Sequence, residues 1–395
     1  MTMKIFFRSP DMAKKALWLG LSLLIIALVS CCAVWEEKRP ADFPAAQCLP
    51  DFPDKDGWYG GDGAYSIALD KERTLWIFGD TFVASETGRK NRVDMDVVMG
   101  TTLAISTCTA NAEFQIQYYL KKKKGQFTSS FGENEWLWPQ DPFIVNNVLY
   151  VPLLVVKAVP QSKAPFNFEI AGHKIARIKN YAAADPHQWM IDYLDLTPAI
   201  PQGIAAFAST SVLFENHVYF YPLYKYAKEA VNISGNILAR IPIDKLDDPG
   251  KAIEYLTKKG TWGKVLTPAK VRIVIDAGVS ELSVRYHADD QKWIAVYMST
   301  RNSGDQLLYQ VADRPEGPWS KPAALIANIP EVDPQSPLYD KNNFCYAGKE
   351  HIEFTRKSNL VVTYVCNSSE DFQKQTSFIR KNLFLYRPVV KNIRY

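Results

Sequence analysis

The chain has 395 residues, of which 47% are hydrophobic, 13% aromatic and 22% charged. That is enough material for a sizeable core, and it excludes disorder, collagen and coiled coil. The formal net charge is +4, but residues 1–30 hold Lys4, Arg8, Lys14 and Lys15 against Asp11 alone, so the remainder carries +1. A nucleic-acid binder needs a basic face, and nothing in this balance demands one. With 24 Pro, 20 Tyr, 20 Phe and 10 Trp, the composition leans towards an all-β protein.

In chain order, the first segment reads as an address. Residues 16–29 form one apolar run behind Lys14-Lys15, too short to span a bilayer comfortably as a helix. A charged start, a short apolar middle and small residues at the end describe a secretory signal; Met12 gives a more typical start than Met1. Leu28-Val29-Ser30-Cys31 resembles the bacterial lipobox. That resemblance implies that Cys31 becomes the lipidated first residue and ties the mature protein to a membrane without spanning it. Cys32, rather than Asp, in the next position implies the outer membrane, facing the periplasm. The expected organisation is a lipoprotein signal peptide over 1–30, a tether over 31–50 containing Pro40, Pro44 and Pro50, and one domain over 51–395. In an oxidising compartment, Cys345 and Cys366, on adjacent strands of one predicted hairpin, are the preferred disulfide, with Cys48–Cys108 second. None has CxxC spacing, so neither zinc nor thioredoxin chemistry is expected.

An internal repeat follows. Residues 143–153 align with 213–223 at an offset of 70, matching Asn146, Val148, Pro152 and Leu153 with Asn216, Val218, Pro222 and Leu223. Each segment reads as strand, tight polar turn, strand. Three more hairpins share the shape: 64–68 into 74–78, 282–286 into 293–298, and 351–355 into 360–365. With Trp76, Tyr150, Phe220, Trp293 and Val361 as landmarks, the intervals are 74, 70, 73 and 68. Further strand-like runs follow each hairpin. Five such units predict a five-bladed β-propeller of four-stranded antiparallel blades filling 51–395. Radial packing buries faces that one small sheet cannot bury alone, and closing the ring protects its edges. A pair of sandwiches does not explain the even spacing.

In such a blade, residues before the first strand and just after the second gather on one face around the axis. That face collects Asp62, Asp80, Asp141, Glu281, Arg301, Lys349 and His351. Asp70, Glu72, Glu215, Asp289 and Asp290 fall in turns at the far end. Several carboxylates around a concave mouth suit glycoside hydrolysis, where one carboxyl donates a proton and another, ionised, attacks or activates water. Crowded like charges separate those roles. Gly60-Gly61-Asp62-Gly63 allows close approach of backbone and ligand, and Trp58, Tyr59, Trp136 and Trp138 lead into these strands as platforms for sugar rings.

Gly60-Gly-Asp-Gly-Ala-Tyr-Ser66 with Leu75-Trp-Ile-Phe-Gly-Asp-Thr-Phe82 resembles the first blade of a bacterial domain-of-unknown-function family that includes the endo-D-arabinanases, five-bladed propellers akin to other furanosidases. Trp138-Pro-Gln-Asp141, Glu281-Leu-Ser-Val284, Gly317-Pro-Trp-Ser320 and Tyr346-Ala-Gly-Lys-Glu-His351 extend the likeness to the last blade. The resemblance implies that Asp62 and Asp80 are catalytic, with Asp62 at the place of a general base and Asp141 at that of a pKa-tuning acid. Relatives keep a Glu general acid in blade three, where the 70-residue offset puts Ser211. Either Glu281 or Asp276 supplies the acid, or Asp62 and Asp80 act as a pair.

Other signals carry less. Lys121–Lys124 reads as a solvated turn. The histidines lack metal-ligand spacing. His351 either binds a substrate hydroxyl or sits on the axis beside a water or ion. Asp54-Lys-Asp56-Gly57 lacks the first ligand of a calcium loop, since Phe52 stands there. No nucleophile elbow, P-loop or dinucleotide fingerprint occurs. The expectation is a surface-anchored hydrolase of a furanoside-containing polysaccharide, with Asp62, Asp80 and Glu281 catalytic and Asp141, Trp138, Arg301, Lys349 and His351 holding substrate. No nucleic-acid partner, metal site or cofactor is expected, beyond a structural ion on the axis. A non-catalytic carbohydrate-binding or scaffold lipoprotein is the alternative.

Overall fold

The computed structural model describes residues 48–159, 167–228, 231–371 and 374–395. The expected signal peptide, Cys31, Cys32 and most of the expected tether lie outside the described residues. The described residues all lie in one compact unit.

The described chain is all-β. Its helical content is one short turn, Phe378–Lys381, and five three-residue 3-10 turns. Five larger antiparallel sheets follow one another. The first runs Tyr65–Ala68, Arg73–Phe78, Thr102–Cys108 and Phe114–Tyr119 as a meander. The second pairs Phe143–Val145 with the start of the long strand Val148–Ala158, then adds Phe168–Ile178 and Ile191–Asp195, while Trp136–Pro139 pairs with the far half of the long strand. The third contains Ser211–Phe214, His217–Phe220, Ala239–Pro242, Glu254–Leu256 and Trp262–Gly263. The fourth contains Ser283–His287, Lys292–Met298, Leu307–Ala312 and Ala323–Ile326, and the fifth Asn343–Glu350, Asn359–Ser368 and Val389–Arg394. Only the first and fourth have the expected four strands. A small sheet of Trp58–Gly61, Thr81–Val83 and Asp96–Val98 leads into the first.

The second strand of each hairpin is apolar on both faces, and the period-two alternation sends its residues to two different clusters. Leu75 and Ile77 join Leu149 and Val151 of the second sheet. Tyr150 of that same strand turns the other way, to Val218 and Phe220 of the third. Tyr219 meets Trp293 and Ala295 of the fourth, and Ile294 and Val296 meet Val362 and Tyr364 of the fifth. Val361 and Phe354 then pack with Trp76 and Phe78 of the first sheet.

The hairpin turns explain the repeat. Asn146 and Asn147 have φ of 50° and 58°, and Glu215 and Asn216 have 44° and 62°. Both central residues of these two-residue loops are left-handed, a geometry that favours Asn. The two turns align at an offset of 69, one less than the sequence motif. Counting from the turn, Asp141 therefore corresponds to Thr210 rather than Ser211; neither is an acid.

The fifth hairpin differs from expectation. Its first strand is Asn343–Glu350, and 351–358 is the connection. The register shifts between Tyr346 and Lys349, where Ala347 has φ of 58°. This bulge breaks the alternation and hides the strand from a periodicity reading. Cys345 pairs with Cys366 across these strands and is bonded to it; Cys48 is bonded to Cys108.

Candidate active site

The site is built where the strand Trp58–Gly61 runs into the first sheet. Gly61 lies opposite Thr81. The Asp62 carbonyl accepts N–H groups from Ala64 and Gly79, each at 2.9 Å. A Cβ at Gly79 would stand 2.3 Å from Asp62 Oδ1, so only glycine lets the Asp62 carboxyl lie against the backbone leading to Asp80. Two acids 18 residues apart in sequence thus meet at one end of a hairpin.

Their surroundings differ in kind. Asp80 is 9% exposed, and its Oδ1 accepts three N–H groups, from Gly100 at 2.6 Å and from the Trp136 and Trp138 indoles at 2.9 Å each. No hydrogen bond reaches its Oδ2 among the described residues. Half-buried Asp62 accepts an O–H at Oδ2, from Tyr346 at 2.6 Å. Glu281, ahead of the fourth sheet, is 3.3 Å from Lys349 Nζ. The buried Lys349 also donates to the Gly63 and Ala347 carbonyls and lies 4.3 Å over the Tyr65 ring.

Burial pushes the Asp62 carboxyl up to about 8, with the charges of Asp80 and Glu281 adding and the Tyr346 and Tyr386 hydroxyls opposing. Burial also raises Asp80, but only to about 6, because the Gly100, Trp138 and Trp136 N–H groups stabilise its charged form. Near neutrality one carboxyl holds its proton while its neighbour has lost it, the division of labour that acid–base chemistry requires.

Other expected site residues are placed differently. Asp141 is 2% exposed with both oxygens engaged: Oδ1 by Arg285 Nη2 at 2.9 Å, and Oδ2 by Thr210 Oγ1 at 2.7 Å, the Ser211 N–H at 2.8 Å and Arg285 Nη1 at 3.0 Å. It ties the second, third and fourth sheets together and offers no free oxygen to a substrate. His351 is 1% exposed. Its Nδ1 is 2.7 Å from Ser66 Oγ, its Nε2 2.7 Å from Thr363 Oγ1, and its ring packs 4.9 Å from Trp76. Burial, with Lys349 and Arg285 nearby, keeps its pKa well below the usual histidine range. It is an interior neutral imidazole between the fifth and first sheets, out of reach of a ligand at the surface. Arg301 is exposed in the turn after Lys292–Met298 and forms no side-chain hydrogen bond or ion pair among the described residues. Trp58 and Tyr59, at 0% and 2% exposure, are core residues rather than platforms.

Sequence reasoning missed Tyr346 and Tyr386. Tyr346 opens a motif whose charged members drew attention instead. Tyr386 follows a segment with no periodicity and had no signal. Among the described residues, Glu331, Cys345 and Cys366 are the one grouping of metal-ligand types, and the two sulfurs are already bonded to each other.

Solved structures with a similar chain trace include a candidate hydrolase from Bacteroides ovatus, at TM-score 0.62 and 16% identity over 85% of this chain and 86% of that one. A GH43_1 enzyme from Xanthomonas citri complexed with xylotriose matches at TM-score 0.41 and 12% identity over 81% and 85% of the two chains. An exo-β-1,3-galactanase from Phanerochaete chrysosporium with β-1,3-galactotriose matches at 0.47 and 10% over 88% and 64%. At such identity the first likeness speaks for the fold alone, and the two looser ones carry no weight. No curated protein sequence matches the chain. Residues 52–394, almost the whole described chain, match the Domain of unknown function (DUF5005), and the protein belongs to that family.

Proposed function

We propose that this protein is a glycoside hydrolase acting on a furanoside-containing polysaccharide, in the manner of the arabinanases it resembles. The observation that carries the reading is the Asp62–Asp80 pair, two adjacent acids whose ionisation is split by different donors. Protonated Asp62 delivers its proton to the glycosidic oxygen. Ionised Asp80, held at Oδ1 and open at Oδ2, attacks the anomeric carbon or activates the water that does. Glu281, paired with Lys349, adds negative charge that keeps the proton on Asp62. This reverses the base role that the sequence resemblance implies for Asp62, because the strongest N–H donors fall on Asp80. The chemistry asks for no cofactor. Trp138 and Trp136 flank the pair and are proposed to form the sugar-facing wall; Lys349, buried and bonded to Glu281 and two carbonyls, is placed to hold that acid rather than a substrate.

We further infer that the five sheets are the blades of a five-bladed propeller, a reading supported by apolar clusters that link each sheet to the next and the fifth to the first. We also infer a lipid anchor at Cys31 and a site of action at the outer membrane facing the periplasm; four bonded cysteines fit an oxidising compartment.

The test is a screen of arabinan, fructan, galactan, xylan and cell-envelope glycans with wild type, Asp62→Asn and Asp80→Asn. Wild type should cleave at least one, and each variant should lose about 10²–10⁴ in rate. Losses below about tenfold would remove these acids from the mechanism. Glycan binding without turnover would establish the binding-module alternative.

A further inference from the structure

Arg92 has no exposed surface, and no carboxylate bonds it among the described residues. All five N–H groups of its guanidinium go to main-chain carbonyls. Nε donates to Tyr59 at 2.7 Å, Nη1 to Ile379 at 3.0 Å and Asn382 at 2.7 Å, and Nη2 to Leu383 at 3.1 Å and Leu385 at 2.6 Å. The first carbonyl belongs to the strand that leads to Asp62. The other four belong to the segment that leads to Tyr386.

The two segments touch at Gly60. Its φ is +129°, and a Cβ there would stand 2.5 Å from the Tyr386 carbonyl oxygen and 2.6 Å from Arg92 Nη2. Tyr386 has φ of 54°, a left-handed conformation that is costly for a bulky side chain and persists only where the surroundings impose it. Arg92 holds the carbonyl just before it, and the Tyr386 N–H donates to the Cys366 carbonyl at 2.7 Å. Tyr386 is thereby fixed against the strand that leads to Asp62, and its hydroxyl favours the charged form of that acid.

We propose that Arg92 is a positioning residue: it locks the Tyr386 segment onto the Asp62 strand and so fixes where the Tyr386 hydroxyl stands relative to that acid. A buried guanidinium without a counter-ion is expensive, and apolar packing of similar volume would stabilise the fold as well or better. Lysine cannot replace it, having three donors and no planar fork. Asp62 is faced by Asp80 in the turn after Arg73–Phe78, Glu281 ahead of the fourth sheet, Tyr346 and Lys349 on the fifth, and Tyr386 on the C-terminal segment. Of these, Arg92 bears on Tyr386 alone. The consequence for catalysis rests on the hydrolase reading; the placement of Tyr386 does not.

The test follows the Asp62 carboxyl of the full chain by carbon-13 NMR titration, which needs no substrate. Removing a donor to the charged form raises the pKa, so Tyr386→Phe should move the midpoint up by about half to one pH unit. Arg92→Lys should do the same, and the double variant should move it no further than either single change. The alkaline limb of the pH–rate profile should move in parallel. A wild-type midpoint in Arg92→Lys, or shifts that add in the double variant, would overturn the proposal. Should Arg92→Lys fail to fold, Gly60→Ala displaces the same contact, and an unmoved midpoint there has the same meaning. Shifts of the expected kind in a protein that cleaves no glycan would sink the hydrolase reading and leave the positioning role standing.

Discussion

Replacing Trp138 with Phe tests the electrostatic division at its most exposed joint. The change keeps an aromatic ring against Phe168, 4.6 Å away, and removes one of the three N–H groups on Asp80 Oδ1. A hydrogen bond to a charged group contributes about 1.5–3 kcal/mol. Two donors remain and the indole is partly exposed, so the lower end applies, about 1.5 kcal/mol, which is about one pH unit. Asp80 should then titrate at about 7 rather than about 6, while Asp62 stays at about 8. If Asp80 works ionised and Asp62 protonated, wild type is half active at about pH 6 and about pH 8, with its optimum between them. The variant should lose about fivefold in kcat/KM at pH 6 and almost nothing at pH 8. A full pH profile of kcat/KM on a cleaved glycan decides it. A loss equal at all pH values would mean that Trp138 merely shapes the pocket. An unmoved acid limb would mean that Asp80 is not the ionised partner.

Stability should carry the same signature with a definite sign. Asp62 has a folded-state pKa raised above its unfolded value, so its contribution is present at low pH and lost as pH rises through about 8. Between pH 5 and pH 8 that is a loss of up to about 4 kcal/mol, and Asp62→Asn should remove it. Chemical denaturation at both pH values should show the variant gaining on wild type at pH 8. No relative gain at pH 8 would contradict the buried, protonated state of Asp62. Arg285→Met strands Asp141 as a buried charge and should cost about 3–5 kcal/mol. Much of that loss should return in Arg285→Met with Asp141→Asn, read as unfolding midpoints. His351→Gln should lower stability with little change in KM, because both ring nitrogens bond within the protein.

Much of the framework was legible because period-two alternation is strong where a strand is buried on both faces. Four of the five hairpins are found where expected, the first and fourth within a residue of their bounds, while the second runs on to Ala158 and the third ends at Phe220; the paired turns at Asn146 and Asn216 reflect a real left-handed requirement. The fifth hairpin was misread because a bulge between Tyr346 and Lys349 offsets its first strand. That error also displaced His351. Read as the start of a strand, it belonged at the mouth; lying beyond the strand's end, it belongs to the interior. Asp62 and Asp80 could be brought together on paper because hairpin geometry alone joins the residues before one strand and after the next. Asp141 was assigned to the right end of its sheet, but nothing in the sequence says that Arg285, on the fourth sheet, would occupy both its oxygens. Tyr386 and Arg92 were invisible, since their roles depend on carbonyls in segments without periodicity.

One physical contrast organises the site. Two aspartates of equal intrinsic acidity sit side by side, and burial raises both. What separates them is the balance between donors and neighbouring charge. Asp80 draws on a backbone N–H and two indoles, donors that bond the anion more strongly than the neutral carboxyl and so hold its pKa down. Asp62 draws on the Tyr346 and Tyr386 hydroxyls, which also favour its charged form but do not offset burial and the charges of Asp80 and Glu281. The proton therefore stays on Asp62. The donors come from several sheets and loops: Gly100, Trp136 and Trp138 beside Asp80, Tyr346 on the fifth sheet and Tyr386 near the C-terminus. No single sheet could build this asymmetry. It requires a chain that returns to its starting strand, so that the last segment of the sequence completes the environment of the first acid.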